Sequence, residues 1–256
     1  MSPEPTERYG PRDPDACPLG LCDGGGFLID EETNTASDCR CRAGQIARRR
    51  AATLEGRVPK RYRGASFDRP PVLGMPEPVV SAVRAYVRNL NERMEEGRGM
   101  WLVGDVGTGK TTLAMIVSNA ALAAGFTVAI YSLPRLLNLI RDEIDTDNSL
   151  LDLLDRLSSV DLLHVDDLGA QHTTPWRLEQ LYSIVDARYQ AGRPIVATTN
   201  LMPDELVDQM GQRTDDASEV VGKRIVSRLI EMCGDPLPLY GEDKRRELPV
   251  LAQRLG

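Results

Sequence analysis

The chain has 256 residues, 41% of them hydrophobic and 27% charged, with a formal net charge of −7. These values suit a globular protein with one good core and room for a small accessory unit. No window approaches the run of about 18 apolar residues that a membrane span needs. The polar, proline-bearing start MSPEPTERYG carries no apolar export segment. A cytoplasmic location without a membrane partner is expected.

Residues 1–42 are rich in Pro, Gly, Asp and Cys and show no amphipathic period. Cys17 and Cys22, then Cys39 and Cys41, form two close pairs on either side of the glycine turn in CDGGGF. Four thiolates around Zn²⁺ would supply the folding energy that so core-poor a segment lacks. A zinc-binding module is therefore expected here, with free thiols as the alternative; disulfides are disfavoured in a reducing compartment. Cys233 sits in an apolar helical pattern and reads as a buried small residue.

Residues 43–75 read as a basic connector. Between Arg40 and Arg63 nine basic residues face one acid, Glu55, a balance of +8 that leaves −15 for the rest of the chain. Such asymmetry suits an acidic partner or a phosphate backbone, and equally a solvated tether. The stretch closes on RPPVLGMPEP, whose prolines forbid a continuing helix.

Residues 76–256 alternate between helix and strand. A helix is expected over Val79–Glu96, with Val80, Val83, Val87 and Leu90 on one face. Strand MWLV (100–103) and a helix from Thr111 to Ala124 follow. Next come strand TVAIYS (127–132) and helical patterns over 133–144 and 149–160. Strand DLLHVDDLG (161–169), a helix over 174–190, strand PIVATTN (194–200), a helix over 218–232 and strand LPLY (237–240) complete the order. Apolar strands separated by helices imply an α/β fold whose parallel sheet is covered on both faces.

The turn after MWLV reads GDVGTGKT, so Gly104, Gly109, Lys110 and Thr111 fit the phosphate-binding loop G-x-x-x-x-G-K-[ST]. Its glycines let backbone N–H groups converge on phosphate oxygens, and the helix that follows aims its positive end at the same point. Asp105, Val106, Gly107, Thr108 and Thr112 complete the candidate nucleotide contacts. Lys110 is placed to reach the β- and γ-phosphates of ATP, and Thr111 to ligate Mg²⁺. Strand LLHVDD ends in Asp166, a candidate outer ligand of Mg²⁺, and Asp167, a candidate to orient the attacking water. The same two acids could instead cap a turn. His164 reads as a core histidine. Asn200, at the end of IVATTN, could bond the γ-phosphate or the water, although Thr-Thr-Asn also makes a good helix cap. Arg224 and Arg228, four apart, share a helix face that could simply be solvated.

GDVGTGKT, LLHVDDLG, IVATTN and RIVSRL occur in the order and spacing of an AAA+ ATPase. More narrowly, VDDLGA, the run W-x-x-E-x-L-Y-x-I-V-D-x-R-Y from Trp176 to Tyr189, TTNL and RIVSRLIEM resemble the bacterial replicative helicase loaders of the DnaC/DnaI type. VPKRYRGASF (58–67) resembles the segment before the loaders' ATPase core. The resemblance implies an AAA+ P-loop NTPase with a five-stranded parallel sheet, slow Mg²⁺-dependent ATP hydrolysis, and homo-oligomers with shared ATP sites. Its implied partners are a hexameric replicative helicase and single-stranded DNA. It makes Asn200 the sensor asparagine, Arg228 the arginine finger with Arg224 as support, and Arg245 in YGEDKRR a second sensor. Asp167 stands where AAA+ proteins usually have glutamate, a shorter acid that suits a switch more than a motor. Arg135 and Arg141 are candidate DNA contacts. The rival readings are a transposition helper ATPase of the IstB type and a nucleotide-gated DNA-binding adaptor with negligible turnover.

Overall fold

The computed structural model describes residues 17, 20–30, 33–42, 58–145, 150–169, 174–211 and 216–243. The N-terminal cysteine segment contains one antiparallel hairpin, β1 (Phe27–Asp30) with β2 (Thr35–Asp38). Both of its strands are exposed along their whole length, so a hydrophobic core does not hold this hairpin.

The rest is organised by a five-stranded sheet in the order β4–β5–β6–β3–β7, parallel throughout. Its strands are β3 (Met100–Val103), β4 (Val128–Ser132), β5 (Leu162–Leu168), β6 (Ile195–Thr199) and β7 (Leu237–Pro238). Alternate residues of each strand feed opposite cores, as the period of two requires. Met100, Leu102, Val128, Ile130 and Val196 pack under α1 (Glu77–Arg88), α2 (Leu90–Glu95) and α3 (Lys110–Ala123). Trp101, Tyr131, Leu163, Val165 and Ala197 pack against the opposite layer. That layer comprises α4 (Leu133–Asp145), α5 (Leu150–Ser159), α6 (Pro175–Gln190), α7 (Pro203–Gly211) and α8 (Asp216–Cys233). No helix among the described residues is long and apolar enough to cross a membrane.

Three features depart from the sequence reading. The helix expected over 79–96 is broken at Asn89 (φ −102°, ψ 27°), which lets Leu90 and Met94 bury on the same core as Val80 and Val83. Helix α7 was not expected, because it is short and buries only Leu206 and Met210, with Val207 partly covered beside them. The connector does not stop short of the core. Val58, Val72 and Met75 are buried in it, and Tyr62 and Phe67 pack against it, so the core under the sheet takes in the chain from residue 58. Its preceding basic stretch, 43–57, lies outside the described residues.

Candidate nucleotide site and cysteine cluster

In a parallel sheet the strands' C-terminal ends share one edge, where ligands bind. Here that edge collects the loop after β3, the acids of β5 and the turn after β6. The loop needs its glycines. Gly104 has φ 142° and a Cβ on it would overlap the Leu239 carbonyl; Gly109 has φ 103° and would overlap the Met75 methyl. The loop curls around Lys110, which is 95% buried and whose Nζ donates to the carbonyls of Gly104 (2.9 Å) and Asp105 (2.6 Å). Thr108 Oγ1 also donates to the Asp105 carbonyl, at 2.9 Å. The Asp105 carboxylate instead accepts the Gly241 N–H at 3.1 Å, so its side chain serves the segment after β7.

Thr111, one residue into α3, donates its hydroxyl to Asp166 Oδ1 at 2.9 Å across the sheet edge. Asp166 therefore does not cap a turn. Val106, Gly107, Gly109, Lys110, Thr111 and Thr112 line a cavity of about 520 Å³, joined by Asp167 from β5 and Asn200 from beyond β6. Asn200 does not cap a helix either: the first turn of α7 is served by Glu205, whose carboxylate accepts the Met202 N–H at 2.8 Å. Thr199 ties the turn by donating to the Leu168 carbonyl (2.6 Å) and accepting from Leu201 N–H (3.1 Å).

A triphosphate fits this lining, because a glycine cradle with convergent amides and a buried lysine is built for anionic oxygens. A hydroxyl and a carboxylate oxygen beside it are hard donors of the kind Mg²⁺ takes.

His164 is fully buried, as expected of a core histidine. Ser118 donates to the Ala114 carbonyl at 3.1 Å, so its oxygen is left to accept from His164 Nδ1 at 2.9 Å. Burial pulls this imidazole down to about 4, against the opposing pull of Asp166.

Two groups of residues were missed from sequence. Arg61, Tyr62 and Arg69, from the connector, complete the cavity lining. For Arg61 and Tyr62 the available signal is VPKRYRGASF (58–67), which by itself marks only a segment before the core; Arg69 lies beyond it, at the start of RPPVLGMPEP. Thr198, inside β6, donates to Asp166 Oδ1 at 2.6 Å, and a threonine within an apolar strand gives no signal of that.

The arginines of α8 lie elsewhere. Arg228 donates to Asp186 Oδ1 (3.2 Å) and Glu231 Oε1 (3.4 Å) and covers the Tyr189 ring at 4.1 Å, so on its own chain it is engaged away from the cavity lining. Arg224 is exposed on the same helix, and Arg135 and Arg141 are exposed on α4. Arg245 lies outside the described residues.

The four N-terminal cysteines converge. Their sulfurs all lie within 4.8 Å of one another, with Cys22–Cys41 at 3.5 Å and Cys17–Cys39 at 4.0 Å. Tetrahedral zinc at about 2.3 Å per sulfur sets neighbouring sulfurs about 3.8 Å apart. The set fits the ion and contains no disulfide. Burial, together with the adjoining thiols, pushes the Cys41 thiol well above its ordinary range, a penalty a bound cation would reverse.

The fold has known counterparts. A phage-like element PBSX protein, XkdC, of Bacillus subtilis (strain 168) is 28% identical over 227 residues, 84% of this chain and 79% of that one. The replicative helicase loader DnaI of the same organism is 26% identical over 165 residues, 64% of this chain and 52% of its own length. Thus only about half of that loader is spanned. The crystal structure of the DnaC helicase loader superposes with a TM-score of 0.56 at 25% identity, covering 72% of this chain and all of that one. The model of the family described as IstB-like ATP binding protein matches residues 86–246. Matched over more than half of its length, the chain belongs to that family, with an AAA+ domain of the IstB/DnaC type.

Proposed function

We propose that this protein is an ATP-dependent loader of a hexameric replicative helicase onto single-stranded DNA, with ATP binding and hydrolysis acting as a switch. The observation that carries the reading is Thr111 paired with Asp166 at 2.9 Å beside one cavity, in a chain with helicase-loader likeness. Lys110 would leave its two loop carbonyls for the β- and γ-phosphate oxygens, and the loop amides would hold the remaining charge. Mg²⁺, when bound, neutralises charge on those phosphates; Thr111 would ligate it and Asp166 would act from behind. Asp167 would orient the attacking water, with Asn200 against the γ-phosphate or that water. Tyr62, Arg61 and Arg69 would close the nucleotide in from the connector side.

Zn²⁺ held by Cys17, Cys22, Cys39 and Cys41 would fold the N-terminal module, which we assign to residues 1–42. Copies of the chain would assemble in the cytoplasm with shared sites. Arg228 would be drawn off Asp186 and Glu231 to serve a neighbour's γ-phosphate, supported by Arg224, with Arg245 as a sensor in its own chain.

The test is direct transfer. Purified protein, a hexameric helicase and circular single-stranded DNA should leave salt-resistant helicase on the circle only with ATP present. Helicase retention that does not depend on this protein and ATP refutes the reading. The IstB-like family description favours one alternative, a transposition helper sharing the same ATP core. Binding to a purified transposase, with none to the helicase, would establish it instead.

A further inference from the structure

We infer that Thr198 is the positioning residue for both acids at the end of β5, acting through its single hydroxyl; this rests on the ATPase reading above. The strands β5 and β6 pair in step from Leu163 with Ile195 to Val165 with Ala197, but the next pair is Leu168 with Thr199. Three steps along β5 thus match two along β6, and the extra residue falls on Asp166 and Asp167. A bulge of this kind re-aims a side chain and takes a backbone N–H out of the ladder. Asp167 accordingly has φ 61°, a left-handed conformation that costs energy for any residue with a Cβ.

Thr198 stands opposite this bulge and is fully buried. Its hydroxyl proton goes to Asp166 Oδ1 at 2.6 Å, and its oxygen accepts the displaced Asp167 N–H at 3.0 Å. One hydroxyl can do both, since it carries one proton and two lone pairs. The consequence is a matched pair of orientations. Asp166 is presented to Thr111, and Asp167 lines the cavity.

Packing does not ask for a threonine here. Valine has nearly the same volume, a higher strand preference and no hydroxyl to bury, and the residues that precede this position on β6 are the apolar Ile195, Val196 and Ala197. A strained aspartate held at a ligand cavity by a buried side chain that touches both acids is strain kept for use.

The experiment uses the full-length protein with Thr198→Val and Thr198→Ser. Thr198→Val should keep its Mg²⁺-free nucleotide affinity and lose about 10²-fold in kcat, the scale of a misplacement near 1 Å. Thr198→Ser, which keeps the hydroxyl, should recover most of that loss. In an Asp167→Asn background Thr198→Val should add clearly less to the kcat deficit than it costs alone, because one of the two acids it positions is already gone. Additive losses, a parent-like kcat in Thr198→Val, or a Mg²⁺-free affinity that falls in parallel with the melting temperature would each overturn the inference. If the parent's turnover is too slow to measure, a Mg²⁺ titration of nucleotide affinity decides. Thr198→Val should lose the Mg²⁺-dependent tightening that Thr198→Ser retains, and an unchanged Mg²⁺ response overturns the inference. Lys110→Ala protein is the separate control: undiminished nucleotide binding there would defeat the site itself, whatever Thr198 does.

Discussion

Arg188 lies in the D-x-R-Y part of a helicase-loader-like run, yet its surroundings are those of a structural tie. It is fully buried and donates to the carbonyls of Leu157 (2.8 Å), Val160 (2.9 Å), Asp161 (3.1 Å) and Pro194 (2.8 Å). One guanidinium thereby joins α6 to the end of α5 and the starts of β5 and β6. Burial pulls it down to about 9, so it stays charged at neutral pH. Arg188→Met would fill most of the space and strand four carbonyls. At about 1 kcal/mol net for each hydrogen bond, the loss is about 4 kcal/mol. For a domain of this size each kcal/mol moves Tm by about 2–4 °C, giving a fall of roughly 8–16 °C. Thermal unfolding followed by circular dichroism measures it. Nucleotide affinity, taken at a temperature where the variant is folded, should match the parent, since Arg188 is absent from the cavity lining. A Tm change below about 4 °C, or lost nucleotide binding with Tm intact, would refute this reasoning.

Lys110→Ala removes the Nζ bonds to the Gly104 and Asp105 carbonyls, worth about 2 kcal/mol on the same scale, so Tm should fall by about 4–8 °C, while calorimetry should show ATP affinity reduced by more than about 100-fold. Metal analysis should find one Zn²⁺ per chain, and chelation should unfold the β1–β2 hairpin while leaving ATP binding in place; protein free of zinc after chelator-free purification would contradict this. Arg228→Ala protein should bind ATP normally but hydrolyse it poorly. Mixing it with Lys110→Ala protein should restore turnover, and no restoration in confirmed mixed assemblies would count against a finger acting in trans.

The features legible in the sequence are those that are local along the chain. The phosphate loop is eight consecutive residues whose glycines, lysine and threonine each answer to a backbone or charge requirement of that one turn. The strands of the sheet were legible for a similar reason: buried on both faces, they stand as apolar runs between amphipathic helices. The cysteine pairs announced a convergent cluster of thiols because groups so closely spaced around a glycine turn need little else to meet. What stayed out of reach depends on contacts between residues far apart in sequence. The capping alternative for Asn200 and Asp166 stayed open until α7 was seen to be served by Glu205 and Asp166 to face Thr111. The connector's part in the cavity depends on Val58, Val72 and Met75 finding the core, an outcome that its charge and prolines obscure.

The placement of Asp166 and Asp167 is the clearest division. Composition and pattern put two acids at the end of a buried strand, but no local property of β5 sets the φ of Asp167. That follows from its register against β6, 31 residues away in sequence, where a single buried hydroxyl takes the displaced N–H. Arg228 shows the same limit, since its hold on Asp186, 42 residues distant, follows from how α6 and α8 pack. Local chemistry determined which groups this protein carries to its sheet edge. The pairing of strands and the packing of helices decided where each one points, because those contacts form only when distant segments are brought together.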